Sequence, residues 1–376
     1  MKDINVSDHL SNKDRINMGS FYTPEKYVDL VAYWLIEEDI SDNSVFADLT
    51  CGGGAFFKLH DRFPNNRFIG NDIDEQALET AKTYFPFVHY MSKNAFCHVS
   101  RKEFEIPETD KFIIIGNPPW NDSTSMTNKS IKKDLFCIDA DIKTRDLGMS
   151  ALLSYDKLEA DYVAVLHPLS YLIKPANFKL CERFFKNYEL KRHIIFNSQE
   201  FANTSQIRGF PVVVALYKRN PGKGLSYKSV KDMRFQTVEG QTFSLSDRDY
   251  ISDLIDKYPT PKRYDPEILF FTQRDINALK RCQTFMRCRT NASVDVDPSK
   301  LAYYCYLDCF KRFADVPYFL GNFNVPFFKA DFDSIRNEVI CISKFYNQDI
   351  FGVGQEPSRE TFDRVNNYIR RVLTFI

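Results

Sequence analysis

Between residues 45 and 218, seven short runs rich in β-branched and aromatic residues alternate with stretches of helical periodicity. No other feature of the chain restricts its fold so tightly. A strand followed by a helix returns the chain to the same edge of a sheet, so successive strands lie parallel and helices cover both faces. The strand candidates are residues 45–49, 67–72, 87–91, 112–115, 162–166, 193–196 and 211–217. Helices are expected over 24–38, with Pro24 in the first turn, and over 54–63, 75–84 and 175–186. The polar stretch 121–160 is long enough to hold helical pieces of its own.

After Lys218 the rhythm stops. Asn220, Pro221, Gly222 and Gly224 break the chain, and the segments from there to the C-terminus are irregular, aromatic and basic. With 376 residues exceeding what one core usually organises, two domains are expected, 1–220 and 221–376. The formal net charge is zero, but residues 218–376 hold 25 basic against 20 acidic side chains, so any basic surface is local.

Membrane and secretory readings find no support. Apolar runs such as 112–115 and 212–216 fall far short of the roughly 20 residues of a membrane helix. The polar N-terminus has no signal-peptide core, and a cytoplasmic location is expected. The nine cysteines include no C-x-x-C pair and suit reduced thiols. Cys282, Cys288, Cys305 and Cys309 are the set that could converge on an ion, yet their spacing matches no common zinc pattern, and no metal is expected.

Chemistry concentrates at the predicted strand ends. The first strand runs through Asp48, Thr50, Gly52 and Gly54 into a helix, a glycine turn of the kind that brings backbone close to a nucleotide at the edge of an open sheet. It is neither a dinucleotide fingerprint nor a phosphate loop, because Phe57 stands where a third glycine would and no lysine follows. The second strand ends in Asp72 and Ile73, where a carboxylate accepts from ribose hydroxyls, and Asp74 fits a helix cap. Asn94, after the third strand, is placed to read an adenine ring.

The fourth strand delivers Asn117, Pro118, Pro119 and Trp120. Two prolines remove two donors and hold an extended path, leaving carbonyls as acceptors. The Asn117 side-chain oxygen and the Pro118 carbonyl would orient the two N–H bonds of an exocyclic amine, a weak nucleophile because its lone pair is delocalised. Trp120 would stack on that base once it has left the duplex.

These segments resemble the amino-group DNA methyltransferases. The glycine turn is similar to the family's D-P-x-C-G-x-G-x-F, and Asn117–Trp120 to its catalytic N-P-P-[YWF]. Residues 19–25, Gly-Ser-Phe-Tyr-Thr-Pro-Glu, resemble the F-Y-T-P segment, in which Tyr22 and Thr23 would help hold the methionine end of the cofactor. This motif order is that of the gamma class, and the likeness covers roughly residues 18–218. It implies a seven-stranded Rossmann-like α/β fold that takes S-adenosyl-L-methionine and no metal. Its cofactor residues would be Tyr22, Thr23, Asp48, Thr50, Gly52, Gly54, Asp72, Ile73, Asn94 and Asn117.

The resemblance further implies methyl transfer to adenine N6 of double-stranded DNA, within a restriction-modification system that can include a companion endonuclease. By position Phe201 would sandwich the flipped base against Trp120, with Phe196 and Phe210 as rivals. The C-terminal domain would recognise the target, with Lys280, Arg281, Arg287, Arg289, Lys311 and Arg312 as candidate DNA contacts. Cytosine N4, RNA adenine and the amide of a protein glutamine are the alternative acceptors. The sequence departs from the family at Leu49, usually proline, at Asn94, usually aspartate, and in the insertion after Trp120.

Overall fold

The computed structural model describes residues 23–120, 137–201 and 209–374. Seven strands form one sheet: β1 (Val45–Asp48), β2 (Arg67–Asn71), β3 (His89–Met91), β4 (Phe112–Gly116), β5 (Tyr162–Pro168), β6 (Tyr188–Asn197) and β7 (Pro211–Arg219). Their order is β3-β2-β1-β4-β5-β7-β6, and β7 alone runs antiparallel to its neighbours. The chain winds outward from β1 to β3, then crosses back to β4 on the other side of β1. That reversal opens the carboxyl ends of β1 and β4 to a ligand. Strands β1, β4 and β5 are buried along their whole length, as expected of parallel strands covered on both faces.

Helix α1 (Glu25–Glu37) starts at Pro24 and buries Tyr27, Val28, Val31, Ala32 and Leu35, spaced to put one stripe on the sheet. Helix α2 (Glu75–Tyr84) is capped by Asp74, whose carboxylate accepts from Gln76 N at 3.0 Å and Ala77 N at 3.2 Å. Within the 121–160 insertion, α3 (Leu147–Lys157) is the described helical piece, and residues 121–136 lie outside the described residues.

Three local expectations change. The helix expected over 54–63 is the short 3-10 helix Ala55–Asp61, entered from left-handed Gly54. The helix expected over 175–186 breaks at Cys181 into Pro175–Leu180 and Glu182–Asn187. Strand β6 begins five residues before the apolar run at 193, because β7 pairs with it from Arg219 opposite Tyr188 onward. Backbone pairing rather than side-chain pattern extends it.

The chain divides into two compact units, Met1–Gly240 and Gln241–Ile376, with the division lying beyond the composition break at Lys218. In the second, α4 (Leu301–Phe313), α5 (Arg336–Tyr346) and α6 (Arg359–Leu373) are accompanied by an antiparallel trio in which Leu269–Phe271 lies between Phe285–Met286 and Ser293–Asp295. Asp308 is fully buried there. Its carboxylate accepts from Thr284 Oγ1, Arg312 Nε at 3.1 Å, Ser343 Oγ at 3.0 Å and Asn347 Nδ2 at 2.9 Å. So many donors offset the cost of burying the charge.

The reading of nine reduced thiols is corrected at one place, where Cys97 and Cys137 form a disulfide and the other seven cysteines are free. Forty residues separate the pair. Backbone pairing brings them together, with Asp139 N donating to Phe96 O at 2.9 Å.

At the sheet's reversal, Asp48 is buried and its Oδ1 accepts from Thr50 N at 3.2 Å. Gly116, at the end of the adjoining β4, has φ +150°, and a Cβ there would lie 2.7 Å from Asp48 Oδ1. Gly116→Ala should therefore destabilise the protein by about 1–3 kcal/mol in chemical denaturation. A variant as stable as wild type would contradict this packing.

Burial pushes the Asp48 carboxyl up to about 8 from an ordinary 3.8, with the Asp72 carboxylate adding to it and the Thr50 N–H opposing. Between those values the folded state holds a proton that the unfolded state has lost. Stability from this residue therefore falls as pH rises across the window. Asp48→Asn should flatten that fall, so that wild type loses stability relative to the variant between about pH 5 and about pH 8. Parallel denaturation profiles for the two proteins would contradict the assignment.

Candidate active site

The glycine turn is folded by strand-end hydrogen bonds. Gly52 and Gly54 take φ +48° and +81°, which L side chains rarely adopt. Gly52 N donates to Asp72 Oδ2 at 2.7 Å, and Asp74 N donates to Asp72 Oδ1 at 2.9 Å. Asp72 thus bridges the ends of β1 and β2 while each oxygen retains a lone pair for a ligand. Burial raises its carboxyl above the ordinary range. Beside it Ile73 is 45% exposed, an apolar surface at the lip of the turn.

Two observations fit a nucleoside ligand here. A Cβ on Gly52 would meet nothing within 4 Å, so the turn faces open space. Thr50 Oγ1 is buried with no hydrogen-bond partner among the described residues. Thr23, at the foot of α1, is buried, whereas Tyr22 lies outside the described residues. Asn94 follows β3, with its Oδ1 accepting from Phe96 N at 2.9 Å and its Nδ2 donating to Cys137 O at 2.9 Å.

Asn71 escaped the sequence reading. It is fully buried at the end of β2; Nδ2 donates to Leu49 O at 2.9 Å and Lys93 O at 3.0 Å, while Oδ1 accepts from Lys93 N at 3.0 Å. One amide therefore ties together the loops leaving β1 and β3. A polar residue closing an apolar strand was the available signal.

Asn117, Pro118 and Trp120 leave β4 beside this turn, because Ala47 pairs with Ile114 across β1 and β4. Trp120 is half-buried and its Nε1 donates to Leu166 O at 3.3 Å. Phe201 meets it edge-on, with centroids 5.5 Å apart at 66°. A sandwiched base needs about 3.5 Å on each side between near-parallel rings, so this pair stands closed. Phe201 is 1% exposed and also packs on Phe196 at 5.3 Å. Phe210 faces Trp120 at 6.2 Å and is half-buried, the more accessible of the two.

Residues that no motif marked pack around this aromatic cluster. Tyr27 of α1 stacks on Phe196 at 4.1 Å and donates to Glu200 at 2.8 Å, bringing the start of α1 to the aromatic cluster. Gly148 in α3 packs so closely that a Cβ would lie 3.1 Å from Trp120 and strike the Tyr171 hydroxyl. Tyr171 donates to Asp146, the cap of α3. Buried His167, lowered to about 4 by burial, is held neutral between Pro168 O at 3.0 Å and the Tyr217 hydroxyl at 2.7 Å.

Five of the six candidate DNA contacts have hydrogen-bond or ion-pair partners within the second unit. Lys280 Nζ donates to Lys311 O at 2.8 Å, and Lys311 Nζ to Cys282 O. Arg312 pairs with buried Asp308 and lies 4.5 Å from the Tyr346 ring centroid. Arg287 pairs with Asp349, and Arg289 with Glu267. Arg281 is exposed.

Residues 7–176 match the family model of the N-6 DNA Methylase. The type II methyltransferase M.CvrRI of Paramecium bursaria Chlorella virus XZ-6E is 33% identical over 124 residues, 32% of this chain. The match spans 29% of that relative's length. Among solved structures, the methyltransferase subunit of a type I restriction-modification system from Streptococcus thermophilus is 13% identical with a TM-score of 0.40, covering 64% of this chain and 49% of that one. A SAM-dependent methyltransferase from Anabaena variabilis is 16% identical with a TM-score of 0.32, covering 58% and 96%. At such scores the fold assignment rests on the sheet order itself. The stretch matched by the N-6 DNA Methylase model, residues 7–176, contains the glycine turn, Asp72 and Asn117–Trp120.

Proposed function

We propose that the protein transfers the methyl group of S-adenosyl-L-methionine to N6 of adenine in double-stranded DNA. The observation that carries this reading is the juxtaposition of Asn117, Pro118 and Trp120 with the glycine turn and Asp72 at the β1–β4 reversal. When bound, the cofactor supplies an electrophilic methyl on a sulfonium. Asp72 would accept the ribose hydroxyls, Ile73 and Asn94 would line the adenine ring, and Gly52, Gly54, Asp48 and Thr50 would form the floor. Tyr22 and Thr23 would hold the methionine end.

The acceptor amine would give its two hydrogens to the Asn117 side-chain oxygen and the Pro118 carbonyl, which directs the nitrogen lone pair at the methyl. Acceptors fixed before the reaction stabilise positive charge developing on nitrogen without reorganising, and positioning supplies most of the remainder. Trp120 would stack on the flipped base, opposite Phe201 or the more accessible Phe210. Base entry on either side requires a ring to turn, since the Trp120–Phe201 pair stands edge-on.

Target recognition is assigned to residues 221–376, because one pocket for one base cannot read neighbouring pairs. Arg281, Arg287, Arg289 and Arg312 are the exposed members of the cations named from the sequence. The N-6 DNA methylase match and the type II methyltransferase relative support a place in a restriction-modification system; a companion endonuclease would be its partner there.

Two substitutions separate binding from chemistry. Asp72→Ala should weaken S-adenosylmethionine by about 1.5–3 kcal/mol, the scale of hydrogen bonds to a charged group, as read by calorimetry. Asn117→Ala should abolish most transfer while leaving cofactor affinity near wild type. Labelled-methyl transfer to duplex DNA, RNA and protein identifies the acceptor. Half of wild-type kcat remaining in Asn117→Ala would overturn the mechanism, and label in RNA or protein alone would overturn the substrate.

A further inference from the structure

Next to the disulfide lie two further metal-ligating side chains. The loop after β3 places Cys97 and His98 in succession, and the chain returning at 137 supplies Cys137 and Asp139. One donor atom each from Cys97, His98 and Asp139 falls within 4.8 Å of the others, and Cys137 Sγ is joined to Cys97. The four cysteines singled out from the sequence, at 282, 288, 305 and 309, form no such set among the described residues.

The cluster is built rather than incidental. His98 takes φ +56°, which turns the successive N–H groups of His98 and Val99 onto the Asp139 carboxylate at 2.8 and 2.9 Å. Lys157 Nζ reaches Asp139 Oδ2 at 2.9 Å and offsets part of the local negative charge. Three donors on a carboxylate leave it one lone pair for a ligand. Cys137 and His98 are exposed, so their side chains can turn.

We propose that Cys97, His98, Cys137 and Asp139, with both thiols reduced, form a structural site for one divalent ion of the zinc class, and that the disulfide is the oxidised, metal-free form of the same cluster. Two thiolates, an imidazole and a carboxylate suit a borderline-soft ion in tetrahedral geometry. Tetrahedral bonds of about 2.0–2.3 Å space the donors at about 3.5 Å, so rotamer changes suffice to close the observed set. Four protein donors leave no open position, which makes the site structural rather than catalytic.

The interconversion balances. A dithiol reductant gives two electrons to the sulfur–sulfur bond, two thiols form, and the reductant leaves as its own disulfide. Binding the ion then displaces the two thiol protons. Either state ties residues 137–139 to the loop that carries Asn94, so the closure survives reducing conditions, where a disulfide alone would not.

Cobalt(II) added to the full-length protein, reduced with a dithiol and freed of metal by a chelator, tests this. Expected are a thiolate-to-cobalt charge-transfer band and tetrahedral d–d bands that saturate at one equivalent. Cys97→Ser and Cys137→Ser should abolish the bands, and His98→Ala and Asp139→Asn should weaken cobalt at least about tenfold. Oxidised wild type should give none. The proposal is overturned if the reduced wild type, folded by circular dichroism and with all nine cysteines titrating as free thiols, shows no such bands. Bands that persist unchanged in Cys137→Ser or in the oxidised protein overturn it equally.

Discussion

The pairing of β1 with β4 is the constraint on which the first unit depends. Val45, Phe46 and Ala47 stand opposite Phe112, Ile113 and Ile114, and this register sets the spacing between the glycine turn and Asn117. A slip of one residue would turn every side chain of a strand to the other face, and both strands are buried on both faces. Gly116 completes the pairing, because the buried Asp48 carboxyl occupies the space that a Cβ would need.

Polar groups buried at strand ends then do what apolar packing cannot. Hydrophobic burial is non-directional, whereas Asn71 makes three hydrogen bonds that fix two loops at once. Asp72 does the same for the glycine turn and the entry to α2. Removing one member of such a set leaves its partners buried and unsatisfied, which costs more than the bond contributes. Asp308 repeats the principle in the second unit, where it holds α4 and α5 through Ser343 and Asn347.

Charge in the second unit shows the limit of counting residues. Its basic excess is real, yet Lys280, Lys311, Arg287, Arg289 and Arg312 bond to carbonyls or carboxylates of the same unit. A cation beside an aromatic in sequence can be a phosphate ligand or a helix clamp, and only its three-dimensional partner distinguishes them. The exposed Arg281 is legible as surface only once the short helix Ile276–Arg281 is in place.

The amino-acid sequence by itself determined the seven strands, their alternation with helices and the residues gathered at the sheet's carboxyl edge, because each rests on local pattern: β-branched runs, glycine turns and a proline-locked motif. Asp74 as a cap and Asn117–Trp120 as the exit of β4 were readable for the same reason. Only the tertiary structure decided the features that depend on distant partners. The start of β6 was set by β7, the disulfide by a contact across forty residues, and the closed state of Trp120 against Phe201 by the packing of Phe196 and α1. Sequence pattern reports which face of an element is apolar, and it carries no information on which residue of another element will meet that face.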